Sequence, residues 1–142
     1  MIFKGTATAL ITPFTSDGVD FDSFDRILDD QLSGGVDAVV VLGTTGEPAT
    51  MTAAEKKAVI EFAVKMLKGK LPVIVGTGAN STSAATEMSV LAESLGADAL
   101  LLVTPYYNKA TQQGLIAHFR TVADAVHTPI ICYNVPGRTG IG

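Results

Sequence analysis

With 142 residues, 47% of them hydrophobic and 17% charged, the chain has the length of one ordinary domain and the composition of one with a large apolar core. A formal charge of −4 with no Lys/Arg cluster argues against a nucleic-acid partner, and no stretch approaches the roughly 20 apolar residues of a membrane span. Cys132 is the sole cysteine, which excludes an internal disulfide and a thiolate metal cluster and suits a reducing compartment; by itself it reads as a small hydrophobe buried in a strand.

The chain opens "MIFKGTATALITPF". A lysine ahead of an apolar run imitates a secretion signal, but the run is short, broken by Pro13 and without a suitable cleavage site, so a cytoplasmic protein is expected. Within it, "TATALIT" from Thr6 reads as a first strand. The acidic run Asp17, Asp20, Asp22 and Asp25 lacks calcium-loop spacing and reads as a turn plus negative charge at a helix N-terminus. That first helix places Phe24, Ile27, Leu28 and Gln31/Leu32 on one stripe and stops at Gly34-Gly35. A strand "DAVVVLG" from Asp37 follows, then a helix opened by the capping box Thr52 to Glu55 and carrying Val59, Phe62, Ala63, Met66 and Leu67. The third strand, "PVIVGTG" from Pro72, precedes a helix from about Ser81 through Met88, Leu91, Ala92 and Leu95 to a glycine cap at Gly96. The fourth, "DALLLVT" from Asp98, precedes a helix with Leu115, Phe119, Val122, Ala123 and Val126 on one side. A fifth strand, "PIICYNV" from Pro129, runs into a loop with Arg138, the only arginine outside a helical segment.

Strands that do not alternate are buried on both faces, as in parallel sheets covered by helices. Four β-α units and a fifth strand fit two architectures, the open doubly wound sheet and the eight-stranded (β/α) barrel, of which the chain is a little over half by length. In both, ligands bind at the loops after the C-terminal ends of the strands. Those loops read "GTTGEP", "GTGANS", "TPYYNK" and "YNVPGRTG".

Gly43-Thr44-Thr45-Gly46 supplies exposed backbone N–H groups and two hydroxyls, which suit a carboxylate or phosphate oxygen; a plain tight turn uses the same residues. "GTGANS" has Ser81 where a dinucleotide fingerprint needs its third glycine. Tyr106, Tyr107 and Tyr133, the only tyrosines, all fall at or just beyond strand ends, either as proton carriers or as rings that plug a rim. Arg138 offers a fork for a carboxylate, or a surface salt bridge. His118 and His127 have no second ligand and no Ser or Cys partner in view, so neither a metal site nor a Ser-His-Asp triad is expected.

In this order and at these spacings, "GTTGE", "GTGAN", "TPYYNK" and "YNVPGRTG" closely resemble the dihydrodipicolinate synthase family, and the likeness runs from "GTATALITPF" to the last residue. The resemblance implies a (β/α)8 barrel of the pyruvate-dependent class I aldolase group. There a lysine on the sixth strand forms a Schiff base with pyruvate, the enamine attacks aspartate semialdehyde, and cyclisation gives 4-hydroxy-tetrahydrodipicolinate in lysine and diaminopimelate biosynthesis. It implies Tyr133 as general acid/base, and Thr44 with Tyr107 as its proton relay, Tyr107 being lent by the neighbouring subunit of a dimer. Thr45 is implied as an anchor for the pyruvate carboxylate and Arg138 as the anchor for the aldehyde substrate's carboxylate. No metal or cofactor is implied. N-acetylneuraminate lyase and 2-keto-3-deoxygluconate aldolase share the scaffold; Arg138 moves the likeness toward the synthase.

Two departures bear on function. None of the lysines, Lys4, Lys56, Lys57, Lys65, Lys68, Lys70 and Lys109, falls at the end of a strand facing a barrel interior, so residues 1–142 read as a single truncated half-barrel domain without the Schiff-base lysine. The expectation is that this polypeptide alone is inactive and that half-barrels pair through exposed sheet edges into a homo-oligomer. The competing reading is a non-catalytic half-barrel scaffold or folding fragment. Secondly, lysine-inhibited members carry histidines at the positions of Ala53 and Lys56 and a glutamate at that of Ala84, whereas Asn80 and Tyr106 match. Without that carboxylate, lysine inhibition of the complete protein is expected to be weak or absent.

Overall fold

The computed structural model describes residues 2–141. Strand β1 (Ala7–Ala9) is followed by a short antiparallel hairpin, β2 (Phe14–Thr15) with β3 (Gly18–Val19). Then come α1 (Phe21–Gly34), β4 (Ala38–Val41), α2 (Ala53–Leu67), β5 (Val73–Gly76), α3 (Thr82–Ser94), β6 (Ala99–Val103), α4 (Gln112–Ala125), β7 (Ile130–Tyr133) and the one-turn helix α5 (Pro136–Thr139). Each of the four long helices starts where a side-chain oxygen accepts an otherwise unpaired backbone N–H: Asp20, Thr52, Ser81 and Thr111. At Thr52 the capping box is reciprocal, with Glu55 returning a bond to the Thr52 amide at 2.7 Å.

The long sheet is parallel throughout and ordered β1-β4-β5-β6-β7, so each strand lies beside the one that precedes it in the barrel order. That order decides between the two architectures. Right-handed crossovers that always step the same way leave every helix on one face, whereas a doubly wound sheet reverses and covers both. Side-chain packing agrees. Val39, Val41, Val73, Val75, Leu100 and Leu102 form one core with the helices' apolar stripes. Their neighbours in register, Val40, Ile74 and Ala99, face the other way and cluster with Phe3, Ala7, Leu101 and Ile131, under no helix. The chain is half of a (β/α)8 barrel with its interior face open.

Three packing details differ from the sequence reading. Cys132 is exposed, not buried: it pairs with Leu102 and so points to the helix side, where no described helix lies over β7. On α3 the fully buried positions are Ala85, Ser89 and Ala92, with Met88, Leu91 and Leu95 only half-buried, because α3 packs against both β6 and α4 and small residues allow that approach. On α4, His118 is buried beside Leu115 and Val122, Phe119 is half-buried and Ala123 is exposed.

One carboxylate ties α3 to the segment entering β7. Glu93 Oε2 accepts the amides of His127 and Thr128 at 2.7 and 2.6 Å and the Thr128 hydroxyl at 2.7 Å. These donors, the Thr128 hydroxyl first, hold its carboxyl below the ordinary glutamate range. A depressed folded value gives stability that is full above the ordinary range and is lost as the pH falls through the lowered one. Glu93→Gln is therefore expected to melt below the parent at pH 7, with the gap closing as both are acidified toward pH 3; a gap that stays constant with pH would contradict this.

Candidate functional site

The site is built by four loops on one side of the sheet, each leaving the C-terminal end of a strand. At the end of β4 the backbone turns left-handed at Leu42, φ +56°. For a bulky residue that conformation is costly, and it persists where packing imposes it. Leu42 is 3% exposed, and its carbonyl lies against Gly76 of β5 so closely that a methyl group on Gly76 would overlap it. The chain then winds through a 3-10 turn, Thr44–Gly46, closed by the Gly46 amide on the Gly43 carbonyl at 2.9 Å and leaving both threonines exposed. Glu47, φ +55°, ends it.

The second loop contributes little but space: Gly76, Gly78 and Ala79 line the cleft with almost no side chain. In the third, Thr104 donates its amide and its hydroxyl to the Tyr133 carbonyl, at 3.0 and 3.3 Å, which fixes β6 to β7 at the point where both loops begin. Tyr106 turns into the cleft at 40% exposure, whereas Tyr107, φ +72°, is 88% exposed and does not line it. Among the described residues, all four non-glycine positions with positive φ, Leu42, Glu47, Tyr107 and Lys109, belong to the loops after β4 and β6.

The fourth loop corrects the sequence reading of Arg138. It lies within a helix, the single turn α5, which Pro136 can open because its missing N–H has no partner to lose there. The turn is closed by the Gly140 amide on the Pro136 carbonyl and steadied by the buried Thr139, whose hydroxyl donates to the Ile141 carbonyl at 2.9 Å.

These loops enclose a cleft of about 390 Å³ that brings together Thr44, Tyr106, Tyr133 and Arg138 over an apolar floor of Leu101 and Val103. Thr45 and Tyr107 are left outside its lining. Glu47 and Lys56 also line it, and the sequence reading gave neither a cleft role. A signal for Lys56 was present: the capping box puts it in the first turn of α2, the end that faces the strands' C-terminal ends. Two cations therefore face one carboxylate. Among the described residues neither Arg138 nor Lys56 forms an ion pair; the ion pair found there is Lys57 with Glu61, at 3.6 Å on the outside of α2. A cleft with two unpaired cations and two phenols suits a small acid undergoing proton transfer. Among the described residues no three His, Cys, Asp or Glu side chains converge as a metal site.

The remaining candidates lie elsewhere. His118 is hydrogen-bonded through Nδ1 to the Thr82 hydroxyl at 2.9 Å between α3 and α4, and burial holds its imidazole below the ordinary range. Lys109 approaches Gly140 on the rim and does not line the cleft.

The model of the dihydrodipicolinate synthetase family matches residues 2–142. Over 140 residues the chain is 52% identical to 4-hydroxy-tetrahydrodipicolinate synthase 1 of Clostridium acetobutylicum, an alignment covering 99% of this chain and 48% of that protein. The dihydrodipicolinate synthase structure from Thermotoga maritima superposes with a TM-score of 0.97 at 44% identity, covering 100% of this chain and 48% of its own. The chloride-inhibited dihydrodipicolinate synthase of Acinetobacter baumannii, complexed with pyruvate, gives 0.94 at 46% identity, over 96% and 47%. The chain spans about half the length of the curated relatives it matches.

The contact between Leu42 and Gly76 shapes the cleft wall, so its disruption should be severe. Gly76→Ala is expected to destabilise the fold by about 3 kcal/mol or more in thermal denaturation. Gly137→Ala, where a methyl meets nothing within 4 Å, should leave the melting temperature nearly unchanged. Equal melting of the two variants would contradict the geometry.

Proposed function

The chain belongs to the dihydrodipicolinate synthetase family, and from that premise we propose that the complete protein condenses pyruvate with aspartate semialdehyde to 4-hydroxy-tetrahydrodipicolinate. The observation that carries the proposal is that Thr44, from the loop after β4, and Tyr133 and Arg138, from the end of β7 and the turn after it, line one cleft in which Arg138 has no ion-pair partner among the described residues. Relatives that share the architecture include one solved with pyruvate.

The reaction asks for an amine, a proton shuttle and two anion anchors. The amine condenses with the pyruvate ketone, releasing water, and loss of a methyl proton gives an enamine. The enamine carbon attacks the aldehyde, and the resulting alkoxide takes up a proton; the substrate's own amine then closes the ring and frees the enzyme amine. In this reading Tyr133 carries the proton at each exchange and Thr44 passes it on. No hydrogen bond joins their hydroxyls within this chain, so the relay needs a third hydroxyl. Tyr107, exposed and turned out of its own cleft, is assigned to complete the relay in a neighbouring subunit. Arg138 anchors the aldehyde substrate's carboxylate, and the Thr45 segment anchors that of pyruvate.

The amine itself is assigned to a lysine outside these 142 residues. Lys56 is the one lysine lining the cleft, and it stands on helix α2, not on a strand. The 142-residue polypeptide is accordingly expected to be inactive by itself and to self-associate through the unpaired outer edges of β1 and β7 and the open interior face. A monodisperse monomer in sedimentation velocity would refute that pairing.

The test uses the chain completed with the C-terminal half of the Clostridium acetobutylicum relative. The completed protein should form product; Tyr133→Phe should lower kcat by about 10² or more. Arg138→Ala should raise KM for aspartate semialdehyde about tenfold with little change for pyruvate. Full activity in Tyr133→Phe would overturn the assignment. Lysine added during turnover should leave the rate unchanged, since Lys56 presents a like charge and Ala84 no carboxylate; strong inhibition would contradict that.

A further inference from the structure

The loop that carries Thr44 and Thr45 is held from the far side by a residue that touches neither the cleft nor any group assigned above. Thr12 lies just beyond β1, 6% exposed, and its hydroxyl donates to the Gly46 carbonyl at 2.8 Å across 34 residues of sequence. The loop closes down on that point: a methyl group on Gly46 would come within 3.2 Å of both the Thr12 hydroxyl and the Leu10 carbonyl. The Leu10 amide is itself bonded to the Val40 carbonyl at 2.9 Å, so the end of β1 is fixed to β4 before Thr12 reaches the loop. At the other side Leu42 is seated on Gly76.

The loop is thus gripped between β1 and β5, and the grip on its threonine end is one buried hydrogen bond. Gly46 is the last residue of the 3-10 turn that begins at Thr44, so the carbonyl held by Thr12 is covalently next to the exposed turn. The Gly46 and Glu47 amides are committed to the Gly43 and Thr44 carbonyls, at 2.9 and 3.1 Å, which keeps the turn wound.

We propose that Thr12 is a positioning residue for substrate-carboxylate binding at the Thr44-Thr45 turn. It acts through the Gly46 carbonyl, and its loss loosens the anchor for one substrate and not the other. This rests on the pyruvate-condensing reading above, because that reading puts the pyruvate carboxylate on this turn and the aldehyde's carboxylate on Arg138 in a separate loop. A hydroxyl that merely satisfies a buried carbonyl would affect stability alone.

The test compares Thr12→Val, which keeps the shape and removes the donor, with Thr12→Ser, which keeps the donor, both in the chain completed with the C-terminal half of the Clostridium acetobutylicum relative. Thr12→Val is expected to raise KM for pyruvate about tenfold and to leave KM for aspartate semialdehyde within about twofold; Thr12→Ser should restore the pyruvate value. Hydrogen exchange at the Gly46 and Glu47 amides should quicken in Thr12→Val and not in Thr12→Ser, while amides of α3 and α4 keep the parent rates. Unchanged pyruvate KM, or a rise shared equally by both substrates, overturns the proposal. If Thr12→Val does not fold, Thr12→Cys, a much weaker donor, takes its place with the same expected outcomes. Failure of the completed parent to condense the two substrates would instead refute the functional reading, and the exchange rates would then decide the Thr12 grip alone: parent-like rates at Gly46 and Glu47 would refute it.

Discussion

The constraint on which everything else depends is the unbroken parallel ladder from β1 through β4, β5 and β6 to β7, each strand laid beside its predecessor. A parallel ladder that never reverses puts every helix on one face and every strand's C-terminal end on one side. Loops more than 90 residues apart in sequence, those of Thr44 and Arg138, thereby become neighbours around one cleft. The same ladder leaves an apolar interior face whose small residues, Ala7, Ala38 and Ala99, alternate with the larger Val40, Ile74 and Leu101. Filling a tapering interior calls for that alternation.

Above the ladder the backbone bends at a small number of costly points. Leu42 and Glu47 bracket the first loop in left-handed conformations, and Tyr107 and Lys109 do the same in the third. Costs of this kind persist only where surrounding contacts over-determine the conformation. For Leu42 those contacts are its own buried side chain and the bare Cα of Gly76. For the third loop they include the Thr104 bonds to the Tyr133 carbonyl and the Asn108 side chain on the Asn80 carbonyl at 3.3 Å. Loops held in this way leave the Arg138 guanidinium lining the cleft, with no ion-pair partner among the described residues.

Much of this was legible in the sequence, and the reasons differ by level. The five strands announced themselves as continuous apolar runs, and two helix starts by the Thr52 capping box and Ser81, because both signals are local; burial on both faces holds for β4, β5 and β6, whereas the outer strands β1 and β7 are partly exposed. The choice between the two architectures was not local: only the order of the strands settles it. Cys132 was misplaced because burial of an outer strand depends on what lies over it, and residue type says nothing of that. Arg138 was read as loop because one turn of helix opened by Pro136 has no periodicity to detect. Of the candidate site, Thr44, Tyr133 and Arg138, singled out from strand-end position and family likeness, all line the cleft. Lys56 was missed as a cleft residue, and Thr12, a lone hydroxyl whose partner is 34 residues away, carried no signal at all.

The proposed reaction divides the labour: the proton shuttle and the anion anchors are assigned to these 142 residues, and the amine to a lysine elsewhere in the complete protein. The most direct measurement is intact mass and peptide mapping after incubation with pyruvate and borohydride, on the 142-residue chain and on the chain completed with a relative's C-terminal half. No adduct is expected on the first, and on the second a single adduct mapping beyond residue 142. A stoichiometric adduct on any of the seven lysines of this chain, Lys56 in the cleft or Lys109 on its rim above all, would contradict it.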